Sequence, residues 1–138
     1  MVMTRAMLFF ITFFAFVAVS LCAPVPEASE IESRIVHHKG RLTWYQPGLG
    51  NCGNYDTEDD SVIAISKERY DNSNGGHCDQ WIKIKVGNKI AYGKTRDSCP
   101  GCGYDDLDLS PAVFKQLGSL DDGVLQSSWH FLGKGESP

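Results

Sequence analysis

Residues Thr95 to Gly118 read TRDSCPGCGYDDLDLSPAVFKQLG, and this stretch holds the strongest local signals in the chain. Its second half marks a helix: Ser110 is a sound N-cap, Pro111 suits the first helical position, and Gly118 suits the left-handed residue that ends a helix. Between them Val113, Phe114 and Leu117 fall on one face at helical spacing. Directly before the helix, Leu107-Asp108-Leu109 alternates apolar, acidic, apolar. In an extended segment Asp108 points away from both leucines, toward water or a groove. Upstream, Asp97 ends a strand just ahead of the Cys99-Pro100-Gly101-Cys102 loop.

The flanks read as strands. Trp81 to Val86 alternates apolar and basic residues, as a strand does with one face in a core and the other in water. Gly87-Asn88 is a two-residue hairpin turn, because both residues accept positive φ, and Lys89 to Arg96 is the return strand. Val62-Ile63-Ala64-Ile65 is the short β-branched run of a buried strand. Ser66 to Tyr70 suits one helical turn, and Asp71 to Gly76 is loop. Arg41 to Tyr45 has strand character ahead of the turn-rich Gln46 to Asn51, and Val124 to Leu132 is a final strand. About six short strands and one short helix, without repeats or a strand–helix alternation, describe an all-β barrel.

The chain has 138 residues, enough for one ordinary domain. At 42% apolar and 22% charged it is globular in composition, neither disordered nor collagen-like. Met7 to Val19 carries no charge behind Arg5 and closes on Ser20-Leu21-Cys22-Ala23, the pattern of a secretory signal peptide over residues 1–23. That run is short for a bilayer span, so a secreted protein that leaves no membrane segment after cleavage is expected. Residues 24–39 hold Glu27, Glu30 and Glu32 without apolar periodicity and read as a flexible leader; His37 and His38 within it receive no role. The domain then runs over 40–132, with 133–138 a tail. Removing the signal leaves a net charge of −5 and no basic stripe, which argues against nucleic acid as a partner. A monomer without cofactor is expected.

Cys52, Cys78, Cys99 and Cys102 remain after signal removal, an even number in a secreted chain, and point to two disulfides. Cys99 to Cys102 is also half of a zinc-knuckle pattern, but no second Cys-x-x-Cys or His-x-x-x-His completes it, so no metal is assigned. A Cys-x-x-Cys loop closes readily on itself, which makes Cys99–Cys102 with Cys52–Cys78 the expected pairing. The sequence does not exclude the other two connectivities.

Five motifs in order carry a family resemblance: Gly40 to Tyr45, Asn51-Cys52-Gly53, Thr95 to Cys102, Leu107 to Phe114, and Asp122-Gly123 to Trp129. Together they resemble the double-psi β-barrel of expansins, above all the small secreted single-domain fungal members known as loosenins. Barwin, the family 45 endoglucanases and bacterial rare lipoprotein A share that barrel. The resemblance covers about Gly40 to Leu132 and implies a six-stranded double-psi β-barrel with one short helix, stapled by disulfides. It further implies that Asp108 is the acid required for wall loosening, with Thr43 and Asp97 in the same groove. Trp44 and Tyr45 alternate sides of their strand, so one at most lines the groove while the other packs. Asp97 and Asp108 are expected on neighbouring segments with the Cys-Pro-Gly-Cys loop between them, and mutual repulsion should raise one pKa.

Two departures bear on catalysis. An inverting glycosidase needs a second carboxylate to activate water, and where family 45 enzymes carry it this chain has Pro47. The groove histidine of rare lipoprotein A has no counterpart between Val62 and Asn72, which disfavours a lytic glycan-cleaving enzyme. The reading is therefore a non-hydrolytic secreted protein that binds β-glucan, cellulose or chitin and loosens the wall. Its alternative is a barwin-like interaction protein, a protease inhibitor or effector with a secreted protein partner.

Overall fold

The computed structural model describes residues 35–138; the signal segment 1–23 and leader residues 24–34 lie outside the described residues. The elements are β1 His38–Trp44, β2 Val62–Ser66, helix α1 Lys67–Asn72, β3 Trp81–Val86, β4 Lys89–Cys99, β5 Leu107–Leu109, helix α2 Pro111–Leu117, a 3-10 turn Leu120–Asp122, and β6 Leu125–Phe131. The strands close into a barrel in the order β1-β5-β2-β4-β3-β6. Closure leaves no unpaired sheet edge, which a small β domain must otherwise protect. Two of its contacts, β1 with β5 and β2 with β4, are parallel, and the others are antiparallel.

Alternation decides which side chains fill the barrel. Ile82 and Ile84 of β3 point inward while Lys83 and Lys85 point out. They meet Leu42, Ile63, Ile65, Leu107, Leu109 and Trp129, and α2 closes one end with Val113, Phe114 and Leu117. Gly93 of β4 must be glycine here, since a Cβ would sit 2.7 Å from the Ile63 side chain and 3.2 Å from Val113. The Gly87-Asn88 turn forms between β3 and β4, but of the two only Gly87 takes positive φ, at 58°. Cys52–Cys78 and Cys99–Cys102 are bonded, the expected pairing.

Several local expectations need correction. Gly118 is extended, at φ −166° and ψ −173°, rather than left-handed. A Cβ there would approach Leu125 Cδ1 and Asp122 Oδ2 to 2.9 Å, so a larger residue would have to push those two side-chain ends aside. Ser110 precedes α2 without a side-chain capping bond; its hydroxyl accepts from the Val62 amide at 3.3 Å and ties the helix start to β2. Strand β1 begins at His38, inside the stretch read as leader. The His38 ring lies 4.3 Å from Trp129 and its Nδ1 lies 3.0 Å from Asp105, so tertiary contacts order a segment whose composition suggested mobility. Strand β4 likewise continues past Arg96 to Cys99, because its last residues pair with β2.

Candidate functional site

The ladders place the sequence-predicted residues in one row. Thr43 of β1 pairs with Asp108 of β5, Asp108 pairs with Ala64 of β2, and Ala64 pairs with Asp97 of β4. Paired positions share a face, so these four lie across four strands on the outer side of the barrel, opposite Leu42, Leu107 and Leu109. The two acids are therefore not on adjacent segments as expected: β2 runs between them. The short Ala64 side chain forms the floor that separates them.

Each acid is held differently. Thr43 Oγ1 donates to Asp108 Oδ1 at 2.8 Å. Burial pushes the Asp108 carboxyl above its usual range, the bond from Thr43 opposes that shift, and the charge of Asp97 adds to it. Asp97 Oδ1 instead accepts from the backbone amides of Asn51 at 2.9 Å and Ser98 at 2.8 Å. Tyr45, just past the end of β1, faces this row. Burial first, then the charges of Asp97, Asp108 and Asp56, raise its phenol well beyond the ordinary value, so it remains a hydrogen-bond donor at any physiological pH. Trp44, the other candidate for the groove, takes the opposite side of the strand, so Tyr45 is the one of the two at the row. Trp44 packs against the core and donates Nε1–H to the Leu120 carbonyl at 3.0 Å.

A second feature borders the row. The segment from Gly48 to Asp56 folds back on itself through a Leu49–Tyr55 bridge, with Gly50 N–H donating to Asn54 O at 2.9 Å and Asp56 N–H to Gly48 O at 3.0 Å. It is pinned from below by Cys52 N–H to Arg96 O at 3.1 Å, by Tyr70 Oη to Asn51 O at 2.9 Å, and by the bond to Cys78. Only glycine fits at Gly50, where a Cβ would stand 2.4 Å from the Arg96 carbonyl. On the bridge at its open end Leu49 and Tyr55 are 73% and 78% exposed. The sequence showed this stretch only as turn-rich, since two isolated apolar residues in a polar loop carry no periodic signal. Asp56 is buried although it opens an acidic stretch, with Arg96 Nε 3.9 Å away and Arg96 Nη1 bonded to Asp79 at 2.7 Å. Nothing in its neighbours could have shown that.

The Cys99–Cys102 loop bends over the end of β2, so that both sulfurs and a carboxylate oxygen of Asp108 lie within 4.8 Å of one another. These are potential metal-ligand atoms, but sulfurs joined in a disulfide offer no thiolate to a metal. The row as it stands provides a protonatable acid, an acid fixed as an acceptor, and a phenolic donor.

The raised carboxyl at Asp108 has a consequence for stability. The folded state binds that proton more tightly than the unfolded chain, so the contribution is full at low pH and is lost as pH rises through the folded-state pKa. Asp108→Asn, which cannot ionise, is expected to melt above the parent near pH 7 and level with it near pH 3. A melting series showing the variant equal to or below the parent at neutral pH contradicts this.

No family model matches the chain. The papain inhibitor of Streptomyces mobaraensis is 31% identical over 102 residues, which cover 67% of this chain and 70% of the inhibitor. An allergen homolog of Arthroderma benhamiae is 29% identical over 110 residues; the match spans 67% of this chain but only 38% of that relative. Among solved structures, the Streptomyces papain inhibitor superposes with a TM-score of 0.64 at 26% identity, covering 72% of this chain and 98% of its own. A mutant Clavibacter michiganensis expansin in complex with cellohexaose superposes with a TM-score of 0.66 at 24% identity, covering 75% of this chain and 54% of the expansin. That last likeness speaks for the barrel alone.

Proposed function

This chain belongs to the family of the Streptomyces mobaraensis papain inhibitor, and from that premise we propose that it is a secreted, non-enzymatic module that inhibits a papain-like cysteine protease. The observation that carries the reading is the pinned loop from Gly48 to Asp56, which holds Leu49 and Tyr55 out into solvent. An inhibitor loop binds tightly when its conformation is already fixed, because little chain entropy remains to be lost. A disulfide at Cys52 and backbone bonds along the loop supply that rigidity. An exposed tyrosine is among the residue types enriched at interface hot spots, and Leu49 adds apolar surface beside it. The secretory pattern at residues 1–23 and the two disulfides support an extracellular site of action.

Titration of papain with the purified protein tests the reading. Parent protein is expected to inhibit, and Leu49→Ala/Tyr55→Ala to weaken inhibition about 30-fold, from a loss of about 2 kcal/mol at the contact. Both side chains are exposed, so melting should stay unchanged. Full inhibition by the double variant, or none by the parent against papain-like proteases, overturns the proposal.

A second reading has its own observation. The row of Thr43, Asp108, Ala64 and Asp97, with Tyr45 at its end, offers donors and acceptors in a line, as an extended β-glucan, cellulose or chitin strand requires. Pro47 in place of a base makes such binding non-hydrolytic. If sedimentation with these polysaccharides retains the parent, releases Asp108→Ala, and is indifferent to the Leu49/Tyr55 variant, the glycan reading prevails.

A further inference from the structure

The Cys99–Cys102 disulfide differs from its companion in its surroundings. It closes a loop of sequence separation 3, whereas Cys52–Cys78 spans 26 residues. Pro100 and Gly101 at its turn are exposed, and both cysteines are half-buried, as Cys52 and Cys78 also are, so a nucleophile can approach either bond from solvent and the acid beside one of them makes the difference. Among the described residues, an acid joins these two sulfurs within 4.8 Å, and no such cluster forms around Cys52 and Cys78. We propose that Cys99–Cys102 is a thiol-exchange site in which Asp108 delivers a proton to the departing sulfur. The partner is a thiol by chemical class, and the proposal holds whatever the pinned loop engages.

The step balances without a further reagent. An incoming thiolate attacks one of the two sulfurs, a new S–S bond forms, and the Cys99–Cys102 bond breaks. The incoming sulfur is oxidised to the disulfide level, while the departing sulfur keeps the electron pair and is reduced. The proton of the Asp108 carboxyl then converts it to a thiol and leaves Asp108 as a carboxylate. Transfer from a carboxylic acid to a thiolate is downhill by about four pKa units for ordinary groups. In reverse, the Asp108 carboxylate takes the proton back, and the freed thiolate recloses the short loop. Leaving-group protonation of this kind matters because the rate of exchange depends on the departing thiol.

The groups around Asp108 keep it suited to that task. From β1, Thr43 donates to Oδ1, which leaves the second carboxyl oxygen for the proton. Tyr45 stays neutral beyond it, and from β4 the charge of Asp97 favours the protonated form. Asp56 is one of the charges that raise the Tyr45 phenol. The carboxyl is raised by burial, so the donor form persists to higher pH than it does for an exposed aspartate.

Excess dithiothreitol is the probe, with opened cysteines trapped by a maleimide and located by peptide mass. Rates are divided by the thiolate fraction of the reagent, which removes the reagent's own titration. The corrected rate at Cys99–Cys102 is expected to be about 100-fold higher near pH 4.5 than near pH 8, the low end of general-acid effects. In Asp108→Asn the corrected rate should be flat across that range. The parent's own profile is decisive without any variant: a flat profile at Cys99–Cys102, or the same rise at Cys52–Cys78, refutes the proposal. A merely structural Asp108 would change melting but not the slope of this profile.

Discussion

Trp129→Ala is expected to lower the free energy of unfolding by about 4 kcal/mol, within the range for truncating a buried aromatic to alanine. Trp129 is 1% exposed and joins the two ends of the barrel seam. The ring lies 4.3 Å from His38 of β1, 5.3 Å from Phe131 of its own strand, and 5.2 Å from the Arg69 guanidinium, which also stacks 4.0 Å over Tyr104. Its Nε1–H donates to the Asp105 carbonyl at 2.8 Å. Truncation therefore opens a cavity, orphans a carbonyl and uncovers a buried arginine at once. Against a total stability of about 5–15 kcal/mol for a domain of this kind, the loss should move the urea midpoint far to the left. Trp129→Phe keeps a ring but not the donor and should cost about 1–2 kcal/mol. An alanine variant that loses under about 1.5 kcal/mol would falsify the assignment of Trp129 as the keystone of the β1–β6 seam.

The two disulfides should differ in value. Cys52→Ser/Cys78→Ser is expected to lose about 3.5 kcal/mol and Cys99→Ser/Cys102→Ser about 2 kcal/mol, because a longer closed loop restricts the unfolded chain more. At roughly 4–8 °C per kcal/mol, the first change lowers Tm by about 15–25 °C and the second by about 10 °C. The first also releases the pinned loop at Cys52, so the surviving folded protein should inhibit papain more weakly although Leu49 and Tyr55 are intact. Paired melting curves check the order. Equal losses, or a larger loss from the short loop, would show that native-state contacts rather than loop entropy set the contribution of each bond.

Much of the framework was legible in residues read locally. The alternation of Ile82 and Ile84 with Lys83 and Lys85 marks β3 because a strand's side chains change face at every step. Ser110-Pro111 marks the start of α2 since proline lacks the N–H that a first helical residue does not use. What failed locally failed for a reason. Asp121-Asp122 has the composition of a solvated loop, yet it lies in the 3-10 turn Leu120–Asp122, in which Ser119 and Asp122 exchange capping bonds. The left-handed glycine expected at Gly118 is found at Gly123, φ 67°, after that extra turn.

At the site, the sequence by itself determined the parts: Asp108 directed away from its two leucines, Thr43 on a strand, one of Trp44 and Tyr45 facing each way, and a Cys-Pro-Gly-Cys loop able to close on itself. Each of these follows from covalent geometry and the period of two, which act over a few residues. The tertiary structure alone decided their assembly. It slid β2 between β5 and β4 so that Ala64 parts the two acids, buried Asp56 beside Arg96, and laid the Cys99–Cys102 sulfurs against Asp108. It also raised Leu49 and Tyr55 on a loop pinned to residues up to 47 positions away, as in the bond from Asn51 to Ser98. Strand order and loop anchoring are set by the burial of the whole core against chain entropy, a sum over distant pairs that no local pattern contains.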